Sequence, residues 1–79
     1  MKNNVYAIYD RVAEESGPLF EAKNDLMAWR MVLGAKLNIA FSEIKLLKLG
    51  TYSHDPVYLT SFSEPIEVVK TDVNVEETA

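Results

Sequence analysis

The chain has 79 residues, no cysteine and a single histidine, His54. Those totals exclude a disulfide framework, thiolate metal sites and a multi-histidine metal site within one chain. The net charge is -4, and Asp72, Glu76 and Glu77 at the C-terminus carry three of those charges with no base beside them, so residues 1–70 hold nine acids against eight bases. A body so close to neutral lacks the basic footprint that non-specific DNA binding normally needs.

A chain this short buries only about 60% of its unfolded surface, so supplements to the core matter. With disulfides and metals excluded, oligomerisation is the supplement the sequence leaves open. No run approaches the ~20 apolar residues of a membrane span. The opening "MKNNVYAIYD" shows no apolar segment of a secretory signal. The expectation is a cytoplasmic protein with no membrane contact.

In chain order, "NVYAIYDRV" (4–12) is β-branched and aromatic and reads as a strand. Val5, Ala7 and Tyr9 share one of its faces, and Tyr6, Ile8 and Asp10 the other. Neither face is cleanly polar, which suits a strand covered on both sides. "AEESGPL" contains Ser-Gly-Pro, a strong turn signal. "FEA" (20–22) reads as a short extended lead into a helix.

That helix is "NDLMAWRMVLGAKL" (24–37), with Asn24 or Asp25 as N-cap. At 100° per residue, Lys23, Met27, Arg30 and Gly34 fall on one narrow side. Leu26, Ala28, Trp29, Met31, Val32, Leu33, Ala35 and Leu37 cover the rest, interrupted by Lys36. A surface helix needs an apolar stripe of about 100° or somewhat more, and this arc is about twice as wide. The surplus calls for a second molecule, with Trp29, Met31, Val32 and Leu33 supplying core and subunit contacts. Gly34 marks a place for close helix approach.

"NIAFS" (38–42) reads as the helix exit. "EIKLLKLGTY" (43–52) is a long strand, and "SHDP" (53–56) is a turn leading into the hairpin partner "VYLTSF" (57–62). "SEP" ends that strand, and "PIEVVK" (65–70) adds a short edge strand with Pro65 at its start. The fold class is α+β, one helix packed on a small, mainly antiparallel sheet in the order β-(β)-α-β-β with a short last strand. Residues 1–70 form a single domain and residues 71–79 an acidic, flexible tail.

Catalytic chemistry finds little support. His54 and Asp55 sit in a turn cluster, where Asp and Ser serve the backbone, and no nucleophile motif accompanies them. The adjacent pairs Glu14–Glu15 and Glu76–Glu77 show no convergence across a cleft. No glycine-rich phosphate loop is present. The reading is a non-enzyme with no cofactor and no metal. For nucleic acid the candidates are Lys23, Arg30, Arg11, Lys45 and Lys48, with Tyr6 as an aromatic platform, since single-strand binders combine cations with stacking rings. Lys36, Tyr9, Phe20 and Trp29 complete that inventory, although Trp29 fits a core position better. Lys23 and Arg30 beside the helix N-terminus offer a phosphate site, which the charge of Asp25 opposes.

The segment "VYAIYDRVAEESGPLFEAKNDLMAWRMV", followed by "IKLLKLGTYSHD", resembles the small nonstructural protein of gokushovirus-type phages, single-stranded DNA phages of the microvirus group. The resemblance rests on Gly17, Pro18, Phe20, Ala22, Asn24, Asp25, Ala28 and Arg30, then Leu49, Gly50 and Asp55, and covers most of residues 5–60. The turn "SHDP" is shorter than the turn of that family. The resemblance implies a protein made in the host bacterial cytoplasm and absent from the capsid; the expected homo-oligomer rests on the surplus apolar arc of the helix. It implies a role in viral DNA synthesis or packaging, described as DNA binding or as a switch between synthesis stages, and supplies no catalytic residues; the expected partners are single-stranded DNA or a phage or host replication protein. The alternative is a protein–protein adaptor that binds a replication protein without touching DNA.

Overall fold

The computed structural model describes residues 2–35 and 40–69. Four strands, β1 (Lys2–Asp10), β2 (Glu15–Ala22), β3 (Ile44–His54) and β4 (Val57–Val68), form one antiparallel sheet in the order β2-β1-β3-β4. One helix, α1 (Asp25–Gly34), lies on it, and a 3₁₀ turn (Phe41–Glu43) leads into β3. This is the expected α+β class. The expected acidic tail, the last residue of the expected edge strand (Lys70), and the helix continuation through Lys36 and Leu37 lie outside the described residues.

Alternation on the central strands fixes which face takes the helix. Tyr6, Ile8, Phe20, Ala22, Ile44, Leu46 and Val68 point to one side and pack with Ala28, Trp29 and Val32 of α1 and with Phe41. Trp29, Tyr6 and Leu46 are the largest fully buried side chains. Rings close the layer: Tyr6 stacks on Phe20 with centroids 5.7 Å apart, and Trp29 tilts against Phe41 at 5.3 Å. Such pairs add ~0.5–1.5 kcal/mol beyond their burial. Among the described residues no helix covers the other face, where Val5, Ala7, Leu19, Leu47, Tyr52 and Leu59 stand in paired rows.

Three local expectations are corrected. Ser16, Gly17 and Pro18 do not turn the chain; they belong to β2. The turn lies between Asp10 and Glu15, where Asp10 Oδ1 accepts from the backbone N–H groups of Val12 (2.9 Å) and Ala13 (3.1 Å). The Asp10 carbonyl accepts from Glu14 N–H at 2.9 Å, and Glu14 takes φ 58°. An aspartate that caps its own turn does the work assigned to Gly-Pro. Pro18 is tolerated because β2 is an edge strand, where a missing donor leaves no rung unmade.

Similarly, Ser63, Glu64 and Pro65 do not end β4. Ser61 pairs with Gly50 and Ile66 with Lys48, so Phe62, Ser63, Glu64 and Pro65 stand against Leu49 alone as a bulge. Beside it the strands close tightly: a Cβ on Gly50 would lie 2.1 Å from the Thr60 carbonyl oxygen and 2.9 Å from Ser61 Cα. Only glycine fits there. Gly34, by contrast, would present a Cβ to open space, so no described element of the chain itself approaches it closely.

Candidate functional site

Two surfaces carry the residues singled out in the sequence: the outward side of α1 and the open face of the sheet. The helix begins at Asn24, whose Oδ1 accepts from Met27 N–H at 2.8 Å while its carbonyl accepts from Ala28 N–H at 3.0 Å. That capping consumes a donor a phosphate would need. Asp25 adds a fixed negative charge in the first turn. The phosphate site expected at this terminus is therefore opposed by both residues.

The apolar arc of the helix divides. Ala28, Trp29 and Val32 are the inner stripe, at 0%, 0% and 4% exposure. Trp29 and Val32 belong to the chain's own core and are unavailable to a second copy, which corrects the expected subunit contacts. The width of the arc had concealed that three positions suffice to face one small sheet. Leu33 is half-buried. Met31 is 45% exposed and is joined outside by Leu26 at 46% and Met27 at 41%. Met31 also borders a hollow of about 200 Å³ with Ile8, Phe20, Val32 and Ala35.

The basic candidates divide in the same way. Lys23 and Arg30 are exposed, and neither has an ion-pair partner among the described residues. Arg11 donates from Nη1 to the Ser42 carbonyl at 2.9 Å, while its backbone N–H donates to the Glu43 carbonyl at 2.9 Å, so it ties the first turn to the 3₁₀ segment. Lys48 Nζ sits 3.0 Å from Asp25 Oδ1, and Lys45 Nζ lies 3.8 Å from Glu67 Oε1 in a loose exposed pair.

Tyr6 is fully buried, so it offers no stacking platform. Its hydroxyl donates to Asp25 Oδ1 at 2.7 Å and accepts from Asn4 Nδ2 at 3.1 Å. Burial and the neighbouring Asp25 push its pKa up to about 12. For Asp25 burial acts upward, but the hydrogen bond from Tyr6 and the ammonium of Lys48 outweigh it and hold the carboxyl below its usual range. The network pins the first turn of α1 to β1 and β3. It is structural, since every member faces another.

The open face holds an arrangement that local sequence could not reveal. Glu21 Oε1 accepts from Asn3 Nδ2 at 2.9 Å and meets His54 Nε2 at 2.7 Å. The bond from Asn3, then the contact with His54, lower the Glu21 pKa, against an opposing effect of burial. The partner of His54 is thus a carboxylate on β2, 33 residues away, rather than the adjacent Asp55. Alternation on β2 was the one available signal, and the misplaced turn hid it. The imidazole stands 4.7 Å from the Tyr52 ring. Beside this pair a mostly apolar hollow of about 320 Å³ is bounded by Val5, Leu19, Phe20, Glu21, Tyr52 and Leu59.

Among the described residues no group of three or more Asp, Glu or His converges as a metal site. No described helix is long and apolar enough to cross a membrane. In comparisons with protein families, curated proteins and solved structures, the chain matches none.

Proposed function

We propose that this chain is a non-enzymatic nonstructural protein of a gokushovirus-type phage that self-associates in the host cytoplasm and acts in viral single-stranded DNA synthesis or packaging. The observation that carries the reading is the outward side of α1. Leu26, Met27 and Met31 are each more than 40% exposed there. Beside them stand the exposed cations Lys23 and Arg30, without an ion pair among the described residues. An apolar strip continuous with the hollow at Ile8 and Phe20 supports contact between copies. Two free cations at its border support phosphate contact once copies assemble. The resemblance to the phage family supplies the biological setting.

Light scattering with and without a short single-stranded DNA tests it. The expected result is an oligomer that takes up DNA. Two phosphate contacts per copy give a log affinity falling with log salt at a slope of about -1.4. Met27→Glu with Met31→Glu should yield a monomer. Lys23→Ala with Arg30→Ala should leave the mass unchanged and abolish uptake. A monomeric wild type indifferent to DNA overturns the reading.

A second reading, an adaptor for a replication protein without DNA contact, is favoured by one observation. Lys48 and Lys45 are paired with acids and Arg11 is bound to backbone. Retention of a protein partner by the Lys23→Ala, Arg30→Ala variant would select it.

A further inference from the structure

The hollow on the open face has a chemistry that nothing in the phage reading uses. Its walls are aliphatic and aromatic, from Val5, Leu19, Leu59 and Tyr52, and a single carboxylate, Glu21, borders it. Leu59 is 59% and Leu19 60% exposed, so the walls stand open to a visitor. Both polar contacts of Glu21 fall on Oε1, one from Asn3 and one with His54. Oε2 is left without a hydrogen bond among the described residues. Asn3 is a neutral donor, so its bond leaves the negative charge of the Glu21 carboxylate in place.

We propose that this hollow binds one lysine side chain of a partner protein. Its methylene stem lies on Leu19, Leu59 and Val5, and its ammonium donates to Glu21 Oε2 beside the Tyr52 ring. Lysine buries an aliphatic stem while keeping its charge at a polar rim. An ammonium over a tyrosine face gains a further attraction. Arginine fits less well. Its planar fork is rewarded by two carboxylate oxygens in parallel, and here Asn3 and His54 already occupy one of them. A ligand with several positive charges finds, among the described residues, only one carboxylate bordering the hollow. The rows around it, with Val57 at 69% exposure beside His54, offer flat apolar surface for the residues flanking the lysine. The site is independent of the outward helix side, so it holds whether or not the chain binds DNA.

The test is a nuclear magnetic resonance titration of the full chain with Nα-acetyl-lysine methylamide, using the arginine and norleucine counterparts as comparators. Saturable shifts at Val5, Leu19, Tyr52 and Leu59 are expected with the lysine probe. Norleucine should bind about fivefold more weakly, the ratio expected for one partly exposed charge pair, and arginine should also bind more weakly than lysine. Glu21→Gln should reduce lysine binding to the norleucine level, and Leu59→Ala should weaken both. Equal binding of norleucine, tighter binding of arginine, or unchanged lysine binding by Glu21→Gln overturns the proposal. If Glu21→Gln disturbs the sheet, contacts between probe methylenes and the Leu19 and Leu59 methyls in the unaltered chain decide the matter, and their absence overturns it. The same contacts appearing between copies without any probe would make the occupant a second copy, which also overturns it.

Discussion

The two faces of the sheet are made from the same strands, yet they hold different amounts of the fold. On the covered face Tyr6, Leu46 and the helix residue Trp29 reach full burial; the Tyr6 hydroxyl and the Asp25 carboxylate find partners there, while the buried Trp29 Nε1 has none among the described residues. On the open face Ala7 and Val5 are buried without belonging to the cluster around α1, while Leu19, Val57 and Leu59 remain more than half exposed. Alternation gives both faces apolar side chains, but only the side that receives α1 turns them into a core. The difference teaches that the stability of this small domain resides on one side. The other side is free to change, or to bind, at little cost to folding.

Substitutions should break that comparison in a graded way. Trp29→Ala removes the largest buried side chain and is expected to cost ~3–5 kcal/mol. That is the whole margin of many domains of this size, so chemical denaturation should find this variant largely unfolded. Next comes alkaline pH. The Tyr6 pKa is raised from its ordinary value of 10.0 to about 12, so its contribution is complete below pH 10 and is lost as pH rises towards 12. The loss is roughly 2 kcal/mol by linkage. Tyr6→Phe should flatten that part of the stability profile. At the acid end the depressed Asp25 carboxyl works in the opposite sense. Its contribution is present above the ordinary aspartate range and disappears as pH falls through the depressed value.

Gly34→Ala should raise stability by ~0.5–1 kcal/mol, because an added Cβ meets nothing and the helix loses its most flexible residue. Smallest of all, Leu59→Ser on the open face should change the unfolding free energy from chemical denaturation by less than ~0.5 kcal/mol. A cost for Leu59→Ser near that of Trp29→Ala would show that the open face is covered after all.

Sequence patterning located the helix, the long third strand and the hairpin at residues 53–56. Each is defined by neighbours in the chain, such as Asn24 ahead of an apolar period or the alternation of Ile44 and Leu46. It misplaced the first turn because Ser16, Gly17 and Pro18 carry a stronger generic signal than Asp10, whose side chain makes the turn. It ended β4 early because four residues of bulge resemble a break. Pairings across the sheet were out of reach. Tyr6 looked like a platform until Asp25, 19 positions later, closed on its hydroxyl. His54 looked like a turn residue until Glu21 met its ring. The excess breadth of the helix arc was legible, but which part of it faced inward depended on where the sheet lay.

The bulge on β4 has one more consequence. An antiparallel sheet with two free edges is a template for end-on growth into fibrils. Here each edge strand contains a proline, Pro18 in β2 and Pro65 in β4. Around Pro65 the strand departs from its register for four residues. A second sheet approaching either edge would meet a proline and a jog in the backbone, the one in β2 falling at Gly17 and Pro18 and the longer one in β4 around Pro65. Prolines on both edge strands and the breaks in register beside them therefore oppose growth of the sheet into a continuous ribbon.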